Sequence, residues 1–319
     1  MDEAKRGILI GVLAALGCEV LFGLSYSFTK NAMRSADEID LLGWRFLAAL
    51  LAILLLRAMR VVRTDYRSKG VTPILFLLPL FSPVLYFVGE TWGISHTTAS
   101  ESGVLLAAIP VVAIVASSLI LKRRPTRRQV IGILTTLIGV IGAVAATGLE
   151  LTFSPIGYGF LALAVIAYSL YAVYLESASR YTNVEITLVM LAEGFAVFGG
   201  LFLVKNAAAG TLGRALALPF ESPAFAIAVL YQGIGCSMLA FFLANIAIGR
   251  LGVNRSASFV GVSTVVGILA GVVALVEPFT LLRGLATVLI LTGVYIANSS
   301  FGFPRARRRV RSAEASDRA

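Results

Sequence analysis

Ten apolar runs of membrane-crossing length fill almost the whole chain, at residues 8–30, 40–59, 72–94, 99–121, 129–148, 155–177, 184–204, 223–249, 254–275 and 280–302. The hydrocarbon core of a bilayer is about 30 Å thick and a helix rises about 1.5 Å per residue, so about 20 apolar residues cross it. The fold class expected is therefore all-α, a polytopic membrane protein of ten transmembrane helices. Little is left over: the longest connection is Asn206–Ser222, and a basic tail runs from Pro304 to Ala319. No segment is large enough for an extramembrane domain, which excludes kinases, ATP-driven pumps and fused receptors.

Composition agrees. Hydrophobic residues make up 58% of the chain and charged residues 14%, against about 25% charged in a typical soluble domain. Cys18 and Cys236 both sit inside apolar runs, and with His96 as the single histidine they support neither a disulfide framework nor a zinc site. No metal, no cofactor and no catalytic residue is expected. The net charge of +10 comes from short basic clusters between apolar runs, which fits membrane topology better than a nucleic-acid partner. Lys5 and Arg6 lead into an apolar stretch longer than a signal-peptide core, with no small-residue cleavage site at its end, so the first helix is expected to stay.

The distribution of lysine and arginine sets the orientation. With the N-terminus inside, the inner segments hold 21 of these residues and the outer segments five (Lys30, Arg34, Lys205, Arg214 and Arg283), with Arg45 inside a run. The positive-inside rule places both termini in the cytoplasm, in the inner (plasma) membrane of a cell.

Shifting the chain by 154 residues superposes Leu85, Phe87 and Ile94 on Leu239, Phe241 and Ile248. The same shift carries Thr126, Gly139, Val140 and Ala143 onto Thr280, Gly293, Val294 and Ala297. Two five-helix repeats follow, at 8–148 and 155–302, with 303–319 as a basic cytoplasmic tail. Five is odd, so the second repeat is inverted, an arrangement that recurs in secondary transporters with a site near the midplane.

Several motifs then fall into a known order. Phe22-Gly23-Leu24-Ser25-Tyr26-Ser27-Phe28-Thr29-Lys30, Trp44-Arg45-Phe46, Thr98-Ala99-Ser100 before Pro110-Val111, Gly132 with Gly139-Val140, and Glu277-Pro278 together resemble the ten-helix EamA-like branch of the drug/metabolite transporter superfamily. The resemblance covers roughly residues 8–300. One position departs: Arg123 stands where the first-half turn usually carries glutamate. The resemblance implies export of amino acids or related metabolites or drugs.

Charges inside the runs point to a pathway, since each costs roughly 2.5–3.5 kcal/mol at a helix centre on insertion scales. Glu19, Gly23, Tyr26 and Lys30 lie on one stripe of the first helix, readable as a pathway wall or as an acid paired to a neighbouring helix. Glu90 lies between Tyr86 and Trp92, suited either to proton exchange or to a structural hydrogen bond. Glu193 is the second half's candidate for the same task. Arg45 is their natural counter-charge, and the resemblance implies a structural ion pair there rather than contact with substrate. Tyr168, Tyr171 and Tyr174, with Trp44, Tyr86, Trp92 and Tyr231, suggest an aromatic-lined cavity for an organic cation or zwitterion, and Asn245 adds a hydrogen-bonding group. The expected substrate-binding set is thus Glu19, Tyr26, Trp44, Tyr86, Glu90, Trp92, Tyr168, Tyr171, Glu193 and Asn245, with Glu90, Glu19 and Glu193 exchanging protons. His96 reads as a proton relay or as a solvated cap.

A proton-coupled secondary transporter of small organic solutes, working by alternating access, accounts for these features. Its partners are the solute, protons and the bilayer. A passive facilitator shares the architecture. A membrane-embedded enzyme would need nucleophile, metal or phosphate motifs that the sequence lacks. Gly7-x-x-x-Gly11 and Gly267-x-x-x-Gly271 serve helix packing or a homodimer equally well.

Overall fold

The computed structural model describes residues 3–97, 102, 105–122, 124–145, 154–274 and 280–298. A helix occupies each of the ten runs, and they are called here the first to tenth helices. Among the described residues eight are long and apolar enough to cross a membrane: Lys5–Ser25 within Glu3–Ala32, Glu38–Ala58, Ile74–His96, Pro155–Ala178, Asn183–Ala208, Pro223–Leu251, Val253–Ala270 and Leu281–Asn298. In the fourth run the described helix is Ile109–Ile120, with Pro110 in its first turn, and the fifth is Arg127–Ala145. Arg123, Glu101, Thr98–Ser100, Glu277-Pro278 and the basic tail lie outside the described residues.

Helix starts follow local chemistry. Asp37 accepts the Asp40 amide, Ser154 that of Gly157, and Ser222 that of Phe225, with Pro155 and Pro223 at first helical positions where no amide is missed. Thr182 and Glu185 form a reciprocal capping box at the seventh helix. The third and eighth helices, equivalent members of the two repeats, are each interrupted by π-helical segments, Leu80–Leu85 and Tyr231–Ala240. In the third, Pro79 and Pro83 remove amide donors and Ser82 leaves helical geometry (φ −144°, ψ 117°).

The packing obeys the repeat. The first helix packs on the eighth and ninth, and the sixth on the third and fourth, which is the same pattern carried into the other half. The second pairs with its equivalent the seventh, and the fifth with its equivalent the tenth. In the fifth–tenth pair the Thr136 hydroxyl lies 3.5 Å from the carbonyl of Ile290, its partner under the 154-residue shift. A pseudo-twofold axis therefore passes through that contact.

Among the described residues two further helices lie outside the ten runs. Tyr66–Lys69 belongs to the basic face, in the connection between the second and third helices, and is capped by Asp65. Glu185 gathers that face. Its carboxylate accepts from Lys69 Nζ, Asp65 N and Thr182 N, each at 2.7 Å, while the Tyr66 hydroxyl donates to its carbonyl at 2.8 Å. Burial and the neighbouring Glu185 push the Tyr66 phenol up to about 12, and two hydrogen bonds from Ser68 hold the Asp65 carboxyl below its ordinary range. On the opposite, far face Lys205 bridges Asp37 and Asp40, and the Trp44 indole donates to the Ala215 carbonyl at 3.0 Å. Ala215 belongs to the second extra helix, Leu212–Glu221, where the sequence suggests only a polar connection. Ten residues are too short to read as a span, and Gly213 and Pro219 disguise the segment as a turn.

Candidate functional site

Glycines beside buried Glu19 and half-buried Glu90 bring the repeats together. At Gly23, one turn beyond Glu19, a β-carbon would lie 2.5 Å from the Ser263 carbonyl, so the first and ninth helices touch backbone to backbone. At Gly89, next to Glu90, it would lie 2.5 Å from the Phe160 carbonyl and 2.6 Å from the Ala164 amide nitrogen, which seats the third helix on the sixth. These two approaches enclose one central cavity. Glu19, Phe22 and Ser25 line it from the first helix, Tyr86 and Glu90 from the third, and Leu106 and Ile109 from the fourth. The second half contributes Tyr168, Val260 and Ser263. The cavity holds about 30 Å³, room for one or two water molecules and too little for an organic solute.

Inside it the Tyr86 hydroxyl donates to Glu90 Oε1 at 2.9 Å. The Tyr86 and Tyr168 rings stand 5.4 Å apart, and Tyr168 and Tyr171 5.6 Å, so an aromatic ladder descends the sixth helix from the cavity. Ser263 lines the same cavity as Glu19, its hydroxyl donating to the Val260 carbonyl at 2.6 Å. Arg45 is buried and stays outside the cavity. Its guanidinium sits 4.0 Å above the Phe87 ring and its Nε donates to the Ser237 hydroxyl at 2.6 Å, while Glu90 attracts it from beyond ion-pair distance.

Four of the residues expected to bind substrate therefore share one cavity: Glu19, Tyr86, Glu90 and Tyr168. Tyr171 and Asn245 form the adjoining layer, the Tyr171 hydroxyl donating to Asn245 Oδ1 and Asn245 Nδ2 to the Thr187 hydroxyl at 2.8 Å. Trp44 is at the far face, Trp92 packs half-buried against the core, and Glu193 is half-buried on the seventh helix away from the cavity. The Tyr26 side chain lies outside the described residues. His96 is exposed and caps the third helix, its Nδ1 2.8 Å from the Trp92 carbonyl oxygen. Phe22, Ser25 and Ser263 were not singled out as site residues by sequence. The signal for the first two is their spacing of three and six from Glu19, whereas Ser263 carries no charge and no periodic mark.

Larger clefts open at each face. One of about 690 Å³ lies at the far face between the first-to-second connection and the seventh helix, lined among others by Met33, Asp37, Lys205 and Arg214. One of about 510 Å³ at the basic face lies between the sixth, seventh and eighth helices, with Leu175, Ala178 and Arg250 on its walls and Asn245 at its floor.

The model of the EamA-like transporter family matches the chain twice, over residues 9–145 and 155–299. The chain belongs to the EamA-like transporter family. It is a multi-pass membrane protein and a transporter by family, built from the two repeats that the family model matches. Among the relatives of this EamA-like transporter is the uncharacterized transporter YcxC of Bacillus subtilis (strain 168), 32% identical over 288 residues that cover 90% of this chain and 92% of that one. An uncharacterized transporter of Methanothermobacter thermautotrophicus is 23% identical over 313 residues, covering 90% and 86%. A chain of known crystal structure superposes with a TM-score of 0.71 at 19% identity, over 92% of this chain and 98% of that one, which establishes shared fold alone.

Proposed function

We propose that this transporter is a secondary carrier that moves a small organic cation or zwitterion by alternating access, exchanging it for protons at Glu19 and Glu90. The observation that carries this reading is the shared cavity: two carboxyl groups from the first repeat face Tyr168 and Ser263 from the second. Only a site between repeats changes its access when the repeats rock against each other. A carboxylate held in so small and apolar a space is costly, so each closed state has to neutralise it by a proton or a cargo cation. That alternation is the exchange, and the rings of Tyr86, Tyr168 and Phe22 supply faces for a cationic or flat cargo. We place the basic face in the cytoplasm of a cell bounded by its plasma membrane, and read the direction as export of amino acids, related metabolites or drugs.

The test is flux in proteoliposomes under an imposed pH gradient, with cargo first chosen by thermal stabilisation among amino acids, polyamines and quaternary amines. Glu90→Gln and Glu19→Gln are expected to lower gradient-driven flux at least tenfold while leaving thermal stability within a few degrees. Undiminished flux in both variants removes these carboxyls from the mechanism. Downhill movement without accumulation identifies a facilitator.

A further inference from the structure

Two stripes leave the central cavity in opposite directions. On the first helix Phe22, Ser25, Thr29 and Met33 follow one another at spacings of three, four and four, from the cavity to the far-face cleft. On the sixth, Tyr168, Tyr171, Leu175 and Ala178 lead at spacings of three, four and three from the cavity to the basic-face cleft. The first and sixth helices are equivalent members of the two repeats, and each stripe covers roughly 10 Å of helix between cavity and cleft.

Each stripe is interrupted by one side-chain amide, and both amides come from the eighth helix. Gln232 Nε2 donates to the Thr29 hydroxyl at 2.5 Å, beside the stacked rings of Phe28 and Tyr231 at 4.2 Å. Asn245 joins Tyr171 to Thr187 and forms the floor of the basic-face cleft. Both amides are buried, Gln232 fully and Asn245 to 1% exposure. Their bonding differs. Asn245 uses its oxygen and its nitrogen, whereas Gln232 Oε1 is buried and accepts no hydrogen bond from the protein. A buried acceptor without a donor is stabilised by water, so the Gln232 layer gains on hydration what the Asn245 layer loses.

We propose that Gln232 and Asn245 are the two gates of the pathway, and that the Gln232 gate, toward the far face, opens more readily. This deepens the alternating-access reading and rests on it. The eighth helix then carries both closures, one on each side of the site. Its π-helical segment Tyr231–Ala240 contains Gln232 near its start and ends five residues before Asn245, and supplies the irregular backbone through which the two ends can move separately.

The test uses the full chain with Cys18→Ala, Cys236→Ala and a reporter Ser263→Cys in the cavity. A membrane-impermeant quaternary-ammonium methanethiosulfonate is applied to right-side-out and inside-out vesicles, with no substrate and no pH gradient. In this background the reporter is expected to react faster from the far face. Thr29→Ala, which leaves the Gln232 amide without its acceptor, is expected to raise far-face labelling at least tenfold and leave basic-face labelling unchanged. Asn245→Ala is expected to do the reverse. If Asn245→Ala does not fold, Tyr171→Phe removes the phenol bond alone and carries the same expectation. Equal effects from both faces, no effect from either, or faster basic-face labelling of the background overturns the proposal. Because labelling needs no cargo, gates that respond as expected while pH-driven flux is absent would sink the coupled-transport reading instead.

Discussion

Arg45 illustrates what a single residue in lipid has to satisfy. Its charge is visible in sequence and an acidic partner is the natural expectation, yet its direct contacts are a ring face and a hydroxyl, with Glu90 acting at longer range. A guanidinium is planar and weakly hydrated, so it lies flat on Phe87 while its Nε edge reaches Ser237; a lysine ammonium does not make both contacts. Arg45→Lys is expected to cost about 2 kcal/mol, the size of one charged hydrogen bond with a weak cation–π contact. Ser237→Ala is expected to cost less, and the two losses to be non-additive by about 1 kcal/mol in a thermal-denaturation cycle in detergent. Strict additivity would show that the Arg45–Ser237 bond carries no energy. The acids were legible for the opposite reason: Glu19 and Glu90 are conspicuous in apolar runs, while Ser25, Ser263 and Ser237 do their work with small hydroxyls that hydropathy does not mark.

At the level of elements, length and apolarity locate the helix in each of the ten runs, because a bilayer enforces both, and miss Tyr66–Lys69 and Leu212–Glu221, which are too short to cross one. What they did not reveal is regularity within a helix. Pro79 and Pro83 do signal a break in the third, but the π-helical stretch of the eighth contains Gly233 and Gly235 and no proline, and reads as an unbroken run. Helix proximity was likewise only half visible: Gly89 and Gly93 mark a close-approach face without naming its partner. The partner is the sixth helix, and backbone atoms rather than flexible side chains occupy the space a β-carbon at Gly89 would need. Gly89→Val is therefore expected to force the third and sixth helices apart, costing about 3 kcal/mol at the upper end of overpacking effects and lowering the melting temperature by several degrees. Gly159→Ala, where nothing lies within 4 Å, serves as the neutral control on the partner helix. Equal stability of the two variants would show that the two helices separate without loss.

For the whole molecule, the internal symmetry makes a claim that composition alone does not, since apolar identities between hydrophobic helices arise easily by chance. The structure supplies the missing constraint by setting shifted equivalents face to face. A β-carbon at Gly139 would meet Ile290 at 2.8 Å; Gly293, its equivalent, has Thr136, the equivalent of Ile290, in the same place, with the Thr136 amide nitrogen at 2.5 Å. One pseudo-twofold contact is thus made twice, once from each helix of the fifth–tenth pair. Gly142, one turn along the fifth helix, has only the Ala286 β-carbon at 3.9 Å, an ordinary contact. Substitution by alanine separates the cases: Gly139→Ala and Gly293→Ala are each expected to cost about 1–3 kcal/mol by overpacking, similar to one another, whereas Gly142→Ala is expected to be neutral or to gain up to about 1 kcal/mol from helix propensity. Thermal unfolding of the three variants in one detergent is the measurement. If Gly139 and Gly293 differ by more than about 2 kcal/mol, the two halves do not share the pair as equivalents, and a hinge on that axis loses its symmetry. If they match, the fifth–tenth pair is packed symmetrically from both repeats, as a seam shared equally by the two halves has to be.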